Sequence, residues 1–368
     1  MRKILFVLVD RANYGRLKPV MEEAYARPGL SCYTACGGSL VLPRFRSLDM
    51  LHKDGFGIDA KVFCSLEGNT TATMAKSVGL AVQGFTDAME RIHPDFVVII
   101  GDRFEALGAA IAAAYTNRTI IHFQGGEVSG SIDESARHAI TKLSHYHVPA
   151  TVNAERNLVR MGERPHTILA VGCPVSDFAL KMPIPEKREG ILAIYHPTTT
   201  CPEKGAGEMR ELLKALEQCD EDVTLLWPNI DAGSDAISKE IRRFRMTPTP
   251  WLEVLTNMEP EAFYKKLASV KCCVGNSSSF VRDSGFFGTP VVLVGERQFR
   301  RECAVNVNFA SPTYESIALY ISVAKKQSWE RETRAWPRST LYGSGGVSKA
   351  VVDAMLTIEK YSQKRLVA

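Results

Sequence analysis

Short apolar runs recur along this chain, and helix-length stretches separate them. The runs over 4–9, 97–100 and 119–123 are apolar throughout or nearly so, the mark of strands covered on both faces of a parallel sheet. A weaker run over 31–35 joins them. The stretch 16–26 is helical in pattern. Over 70–92, Met74, Val78, Leu80, Val82, Phe85 and Met89 recur at helical spacing until Pro94 closes the segment, a stripe that reads as core packing. Strand and helix alternate in this way through residue 175. The stretch 181–190, rich in proline and charge, reads as a boundary. The alternation then restarts, with strands over 191–195, 223–227, 251–255, 271–274 and 291–294. Helices are expected near 207–218, 236–245 and 261–269 and from 279, and helices over 313–326 and 347–360 end the chain. This pattern predicts an α/β protein of two doubly wound Rossmann-like domains facing a cleft. The first domain is expected over 1–180 and the second over 190–345, with a C-terminal helix in 346–368 that packs back on the first domain.

Composition narrows the class. Hydrophobic residues make up 45% and charged residues 23%, a balance suited to a soluble globular protein. The net charge of +4 is too small to argue for nucleic acid, and no basic run mixed with aromatics supports it. Apolar runs such as 96–100 fall far short of the roughly 18 residues of a membrane span. The first residues read as a buried strand and not as a leader, because Asp10 follows at once without a small-residue cleavage site. Nine scattered cysteines, none in a CxxC pair, fit reduced thiols in a cytoplasmic protein better than a disulfide frame or a zinc site. No Walker lysine, GxGxxG run or metal-ligand spacing is present, so neither a dinucleotide cofactor nor a metal is expected.

The polar ends of the strands carry the chemistry, since ligands of open parallel sheets bind outside the carboxyl ends of the strands. Strand 97–100 runs into Gly101-Asp102-Arg103, and strand 119–123 runs into the charged, glycine-rich stretch 124–138. Asp102, Glu127, Asp133, Arg137 and His138 are expected to converge on one crevice. A plain loop with Ser131 or Asp133 capping the next helix is the simpler alternative, but a cap needs only one such residue. Arg11, after the first strand, suits a phosphate clamp or a solvated loop equally well. In the second half, strand 191–195 ends at His196, a position that also fits a packed, hydrogen-bonded histidine. Strand 271–274 ends at Gly275-Asn276-Ser277-Ser278-Ser279, where hydroxyls and backbone N–H groups at a helix start face a phosphate well. Asp283 on that helix is suitably placed for ribose hydroxyls, and Arg297, after strand 291–294, is a second phosphate arginine. Asn229 and Asp231, in the loop after strand 223–227, join the nucleotide side. These features describe a nucleoside diphosphate held mainly by the second domain, with the group to be transformed facing the first.

Taken together, the segments Arg11-Ala12-Asn13-Tyr14, Gly101-Asp102-Arg103, Gly125-Gly126-Glu127, Arg137-His138-Ala139-Ile140-Thr141-Lys142, 228–234, 275–279 and Gly295-Glu296-Arg297-Gln298 resemble the hydrolysing UDP-N-acetylglucosamine 2-epimerases. That family includes bacterial sialic acid enzymes and the epimerase half of the animal bifunctional epimerase/kinase. The resemblance implies a two-domain glycosyltransferase-B type fold and conversion of UDP-GlcNAc and water to ManNAc and UDP, without NAD or a required metal. The route it implies removes the C2 proton, expels UDP to leave a 2-acetamidoglucal, and adds water with the opposite C2 configuration. By the family pattern Arg11, Ser277, Ser278, Asp283 and Arg297 bind the nucleotide, while Asp102, Asp133, Arg137 and His196 sit at the sugar; Glu127 is a further acid/base candidate from its position. A homodimer or homotetramer is implied, and a nucleotide sugar is the expected partner.

The chain departs from the family at four positions. Ser39 stands where members usually carry a histidine, and a hydroxyl cannot supply imidazole acid/base chemistry. Gln124 replaces a carboxylate found in some members, Asn13 an aspartate, and Asp283 a glutamate, which shortens its reach. The alternatives to UDP-GlcNAc hydrolysis are the same chemistry on a 2,4-diacetamido-trideoxy or GDP-linked sugar, a glycosyltransferase, which the fold alone permits, and a non-catalytic UDP-sugar binder, which Ser39 motivates.

Overall fold

The computed structural model describes residues 1–45, 47–331, 338–360 and 363–365. Residues 332–337 of the expected second domain, and 361–362 and 366–368 of the expected C-terminal segment, lie outside the described residues.

Two six-stranded sheets form the frame. The first contains β1 (Arg2–Leu8), β2 (Leu30–Gly37), β3 (Ala60–Val62), β4 (Phe96–Ile100), β5 (Thr119–Phe123) and β6 (Tyr146–Val148), in the order β3-β2-β1-β4-β5-β6. The second contains β7 (Ile191–Ile194), β8 (Val223–Leu226), β9 (Leu252–Leu255), β10 (Cys272–Gly275), β11 (Val291–Val294) and β12 (Val307–Ala310), in the order β12-β11-β10-β7-β8-β9. All pairings are parallel. Counted from its own first strand, each sheet has the same 3-2-1-4-5-6 order, so strand order reverses between β1 and β4 in one and between β7 and β10 in the other. Those two reversals are the places where a doubly wound sheet opens a binding crevice.

Alternation of side chains explains the layers. Ile4, Phe6 and Leu8 of β1 pack into one core while Leu5 and Val7 pack into another on the opposite face. Ile191 and Ala193 of β7 are divided from Leu192 and Ile194 in the same manner. Strands buried on both sides must be apolar at every position, which is why the pattern made the central strands legible. The strands that pattern reading passed over, β3, β6 and β12, are three- or four-residue strands at sheet edges, and edge strands lack the double burial that produces a continuous run.

The helix Arg11–Tyr25 starts earlier than its apolar pattern, because Asp10 caps it and accepts from the Asn13 N–H at 2.7 Å. Arg11 thus sits in a helical first turn and not in a loop. The helix Val347–Thr357 packs Val347, Val351, Val352 and Met355 into the core that holds Tyr14, Leu17 and Met21. Arg2 holds its end, donating to the carbonyl of Met355 at 3.1 Å and to that of Ile358 at 2.5 Å. Among the described residues, no helix is long and apolar enough to cross a membrane.

Candidate functional site

A cleft of about 1120 Å³, counting its open mouth, lies where the carboxyl ends of the two sheets face each other. Asp10 follows β1, Asp102 follows β4 and Gln124 follows β5; His196, Asn229, Ser277 and Arg297 follow β7, β8, β10 and β11. The second sheet's reversal is stitched by side chain to backbone. Asn276 accepts from the His196 N–H at 2.7 Å and donates to the His196 carbonyl at 2.8 Å. Gly275 permits this closeness: it lies at φ +136°, and a Cβ there would come within 1.9 Å of the Ile194 carbonyl oxygen.

Eight of the thirteen residues singled out from the sequence line the cleft: Asp102, Asp133, His196, Arg11, Asn229, Ser277, Ser278 and Arg297. Four others sit behind its wall. Arg137 is fully buried; it donates to Asp102, to the Glu127 carbonyl at 2.7 Å and to Ser129 Oγ at 3.2 Å. Glu127 faces Arg282 at 2.5 Å. Asp231 pairs with Arg103, and Asp283 lies 3.7 Å from Arg16. Asp283 is fully buried, its carboxylate 3.7 Å from Arg16, and it is not among the cleft-lining residues. His138 also stays out of the crevice; its imidazole lies 3.6 Å from Glu134, one helical turn earlier, because position 138 is next to Arg137 and so faces away from it. Ser131 does not cap the helix Asp133–Leu143 in the usual way; its Oγ donates to Asp133 at 2.9 Å.

The charges are segregated. Burial opposes the ionisation of Asp102, but the guanidinium groups of Arg137 and Arg301 outweigh it and hold this carboxyl well below the usual range. Asp133 is moved the other way. Burial and the negative charge of Asp102 push its pKa up, against Arg297 at 3.6 Å. Burial, and then the cations Arg297, Arg11 and Arg103, push the His196 imidazole well below its ordinary value. His196 Nδ1 accepts from the Asn229 N–H at 3.2 Å, so the neutral ring carries its proton on Nε2. His122, under the wall, is likewise kept neutral by burial, at about 3, and holds the Gly101 turn through its carbonyl at 2.9 Å.

Pattern reading missed Arg16, Arg282, Arg301, Gln298 and Tyr264, which also line the cleft. Arg301 and Gln298 belong to the same polar stretch as Arg297, so their clustering after β11 was a usable signal; Arg16 and Tyr264 lie inside helices, where nothing local distinguishes them. Ser39 is on the turn Gly38–Val41, its Oγ donating to the Val9 carbonyl at 3.4 Å, and is not among the cleft-lining residues. Among the described residues, no group of three or more His, Cys, Asp and Glu side chains is arranged to hold a metal ion.

Several contacts cross the cleft. Arg11 donates to the carbonyls of Trp227 at 3.0 Å and Thr256 at 2.6 Å, and the Gly130 N–H donates to the Arg297 carbonyl at 3.1 Å. The fold and the cleft define a two-domain glycosyltransferase-B type protein with an arginine-rich site between its domains. Residues 44–356 match the family model described as UDP-N-acetylglucosamine 2-epimerase. A UDP-N,N'-diacetylbacillosamine 2-epimerase (hydrolyzing) of Legionella pneumophila is 31% identical, over 98% of this chain and 97% of that protein. A UDP-N-acetylglucosamine 2-epimerase of Neisseria meningitidis is 28% identical over 83% of each chain. The crystal structure of a UDP-GlcNAc 2-epimerase from Neisseria meningitidis bound to UDP-GlcNAc superposes with a TM-score of 0.78 at 17% identity, covering 96% of this chain and 99% of that one. The chain belongs to the UDP-N-acetylglucosamine 2-epimerase family.

Proposed function

We propose that this protein is a hydrolysing 2-epimerase of a UDP-linked 2-acetamido sugar, with UDP-GlcNAc and water giving ManNAc and UDP as the reference reaction. The observation that carries the reading is the opposite electrostatic setting of two carboxyls on one cleft. Asp102 is held ionised by Arg137 and Arg301, and Asp133 is pushed toward holding a proton. Groups whose surroundings drive their pKa values apart divide proton-transfer work between them. Asp133, with the higher proton affinity, takes the C2 proton. Asp102 stays ionised and accepts hydrogen bonds from the sugar and from the water that adds across C1 and C2. As the C1–O bond breaks, the departing diphosphate is met by Arg11, Arg297 and the hydroxyls of Ser277 and Ser278, with His196 Nε2–H donating to its oxygen. Water then supplies the C1 hydroxyl, and a solvent-derived proton enters C2 from the opposite face.

Chromatography of a reaction with UDP-GlcNAc tests this. Equal amounts of UDP and free ManNAc are expected. A new nucleotide sugar with its diphosphate intact would contradict the hydrolysing chemistry. Binding without turnover would favour the non-catalytic reading that Ser39 motivates.

A further inference from the structure

The loop after β5 brings two serines, Ser129 and Ser131, to the cleft, and their hydroxyls are engaged differently. The Ser131 hydroxyl donates to Asp133 at 2.9 Å. Ser129 Oγ instead stands 3.2 Å from Arg137 Nη2. A guanidinium only donates, so the serine oxygen accepts there and its own proton is left to give. Among the described residues, nothing takes that proton. The backbone around it is pinned: the Ser129 N–H donates to Glu134 at 2.6 Å, and the Gly130 N–H donates to the Arg297 carbonyl at 3.1 Å. The hydroxyl is therefore a donor fixed in place in advance of a ligand, and the guanidinium behind it strengthens it. The same Arg137 nitrogen also holds Asp102 through Oδ2. Its two protons serve the two oxygens, so a hydroxyl donor and a carboxylate acceptor stand side by side on the cleft wall.

We propose that Ser129 is a specificity-determining residue: with Asp102 it grips one free hydroxyl of the substrate sugar, the one on C3 next to the reacting carbon. This rests on the proposed epimerase reading and defines the sugar which that site accepts. A hydroxyl donates and accepts through a single oxygen, so it gives its proton to Asp102 and takes one from Ser129 at once. A trans amide turns its N–H and C=O to opposite sides, so the acetamido group cannot meet both neighbours. Of the ring atoms beside C2, C1 carries the departing diphosphate and C3 the hydroxyl. Ser129 shares its short loop with Ser131, the partner of Asp133, which is the group assigned to the C2 proton. The water that adds across C1 and C2 is the competing source of a hydroxyl. That water joins only once the C1–O bond has broken, whereas Ser129 and Asp102 are held ready by one side chain from the first encounter.

Kinetics of the full chain separate these sources, with UDP-GlcNAc and its 3-deoxy analogue as substrates. The wild type is expected to favour UDP-GlcNAc at least about tenfold in kcat/KM, because a site built around a hydroxyl rejects the analogue that lacks it. S129A is expected to lose most of that preference, slowing about tenfold on UDP-GlcNAc and less than about threefold on the deoxy sugar. Comparing the two substrates across the two proteins cancels any effect of the deoxy change on intrinsic reactivity. S129T keeps the hydroxyl and is expected to keep the preference, while UDP binds both variants within about threefold of the wild type. A wild type without preference overturns the proposal. So does a preference that survives in S129A; if both substrates then slow equally, the hydroxyl serves the attacking water. If the wild type releases UDP from neither substrate, the epimerase reading itself falls, and this inference with it.

Discussion

Arg137 holds the Asp102 carboxylate and the Glu127 carbonyl at once, from a position with no exposure to solvent. It thereby ties the turn after β4 to the loop after β5, and fixes Asp102 from behind the cleft wall. Asp102→Asn keeps the shape but removes the charge that Arg137 orients. Turnover should be lost, while UDP binding stays within about tenfold, because the groups assigned to the nucleotide, Arg11 apart, lie on the other domain. Arg137→Ala should also abolish turnover. It leaves the half-buried Asp102 carboxylate with Arg301 at 3.8 Å as its remaining cation, so chemical denaturation should show a loss of about 1–3 kcal/mol. Weak UDP binding by both variants would mean that these residues serve the nucleotide.

Gly130 sets how closely the domains approach. A Cβ there would come within 2.0 Å of the Glu296 carbonyl oxygen on the opposite domain. Gly130→Ala should fold normally but hold the cleft open. Small-angle scattering with saturating UDP should give a larger radius of gyration than the wild type, together with lower kcat/KM. An unchanged radius and rate would show that the contact is not needed for function.

Arg297 bears on both the nucleotide and the proton. Arg297→Ala should weaken UDP binding at least about tenfold, as loss of a charge-assisted phosphate contact implies. It also removes the cation that restrains the raised pKa of Asp133. If Asp133 must be ionised to accept the C2 proton, activity is lost as pH falls through that pKa, and this acid limb should move to higher pH in the variant. A pH profile of kcat/KM reads the shift; an unmoved limb would remove Asp133 from the role of base.

Far from the cleft, Glu163 gathers Lys142 at 2.8 Å, His147 at 3.0 Å and Lys364 at 2.5 Å. Burial alone would raise its pKa, but hydrogen bonds from His147, Lys142 and Lys364 prevail and lower it to about 2. A carboxylate depressed on folding contributes stability that is complete above its ordinary value and is lost as pH falls toward the folded value. Between about pH 4.5 and 2, the wild type should therefore lose Tm more steeply than Glu163→Gln. Parallel Tm curves for the two proteins would contradict this pairing.

The central strands were legible because double burial forces continuous apolar runs, and 119–123 was read with the bounds that β5 has. The edge strands β3, β6 and β12 were not, since half-exposed edges can mix residue types. The strand-end rule located the cleft, because the residues that follow the central strands line it whatever the distant packing. It could not rank side chains by depth. Glu127, Arg137, Asp231 and Asp283 follow the same local signals as Asp102, yet long-range pairing with Arg282, Asp102, Arg103 and Arg16 turns them into the wall. Pairing across two domains has no local sequence signature.

The most direct test of the account is a proton NMR time course of the purified protein with UDP-GlcNAc in D2O. Free ManNAc and UDP are expected, with deuterium at C2 of the released sugar. Released sugar that retains protium at C2, or UDP-GlcNAc that binds and stays unchanged, would contradict it.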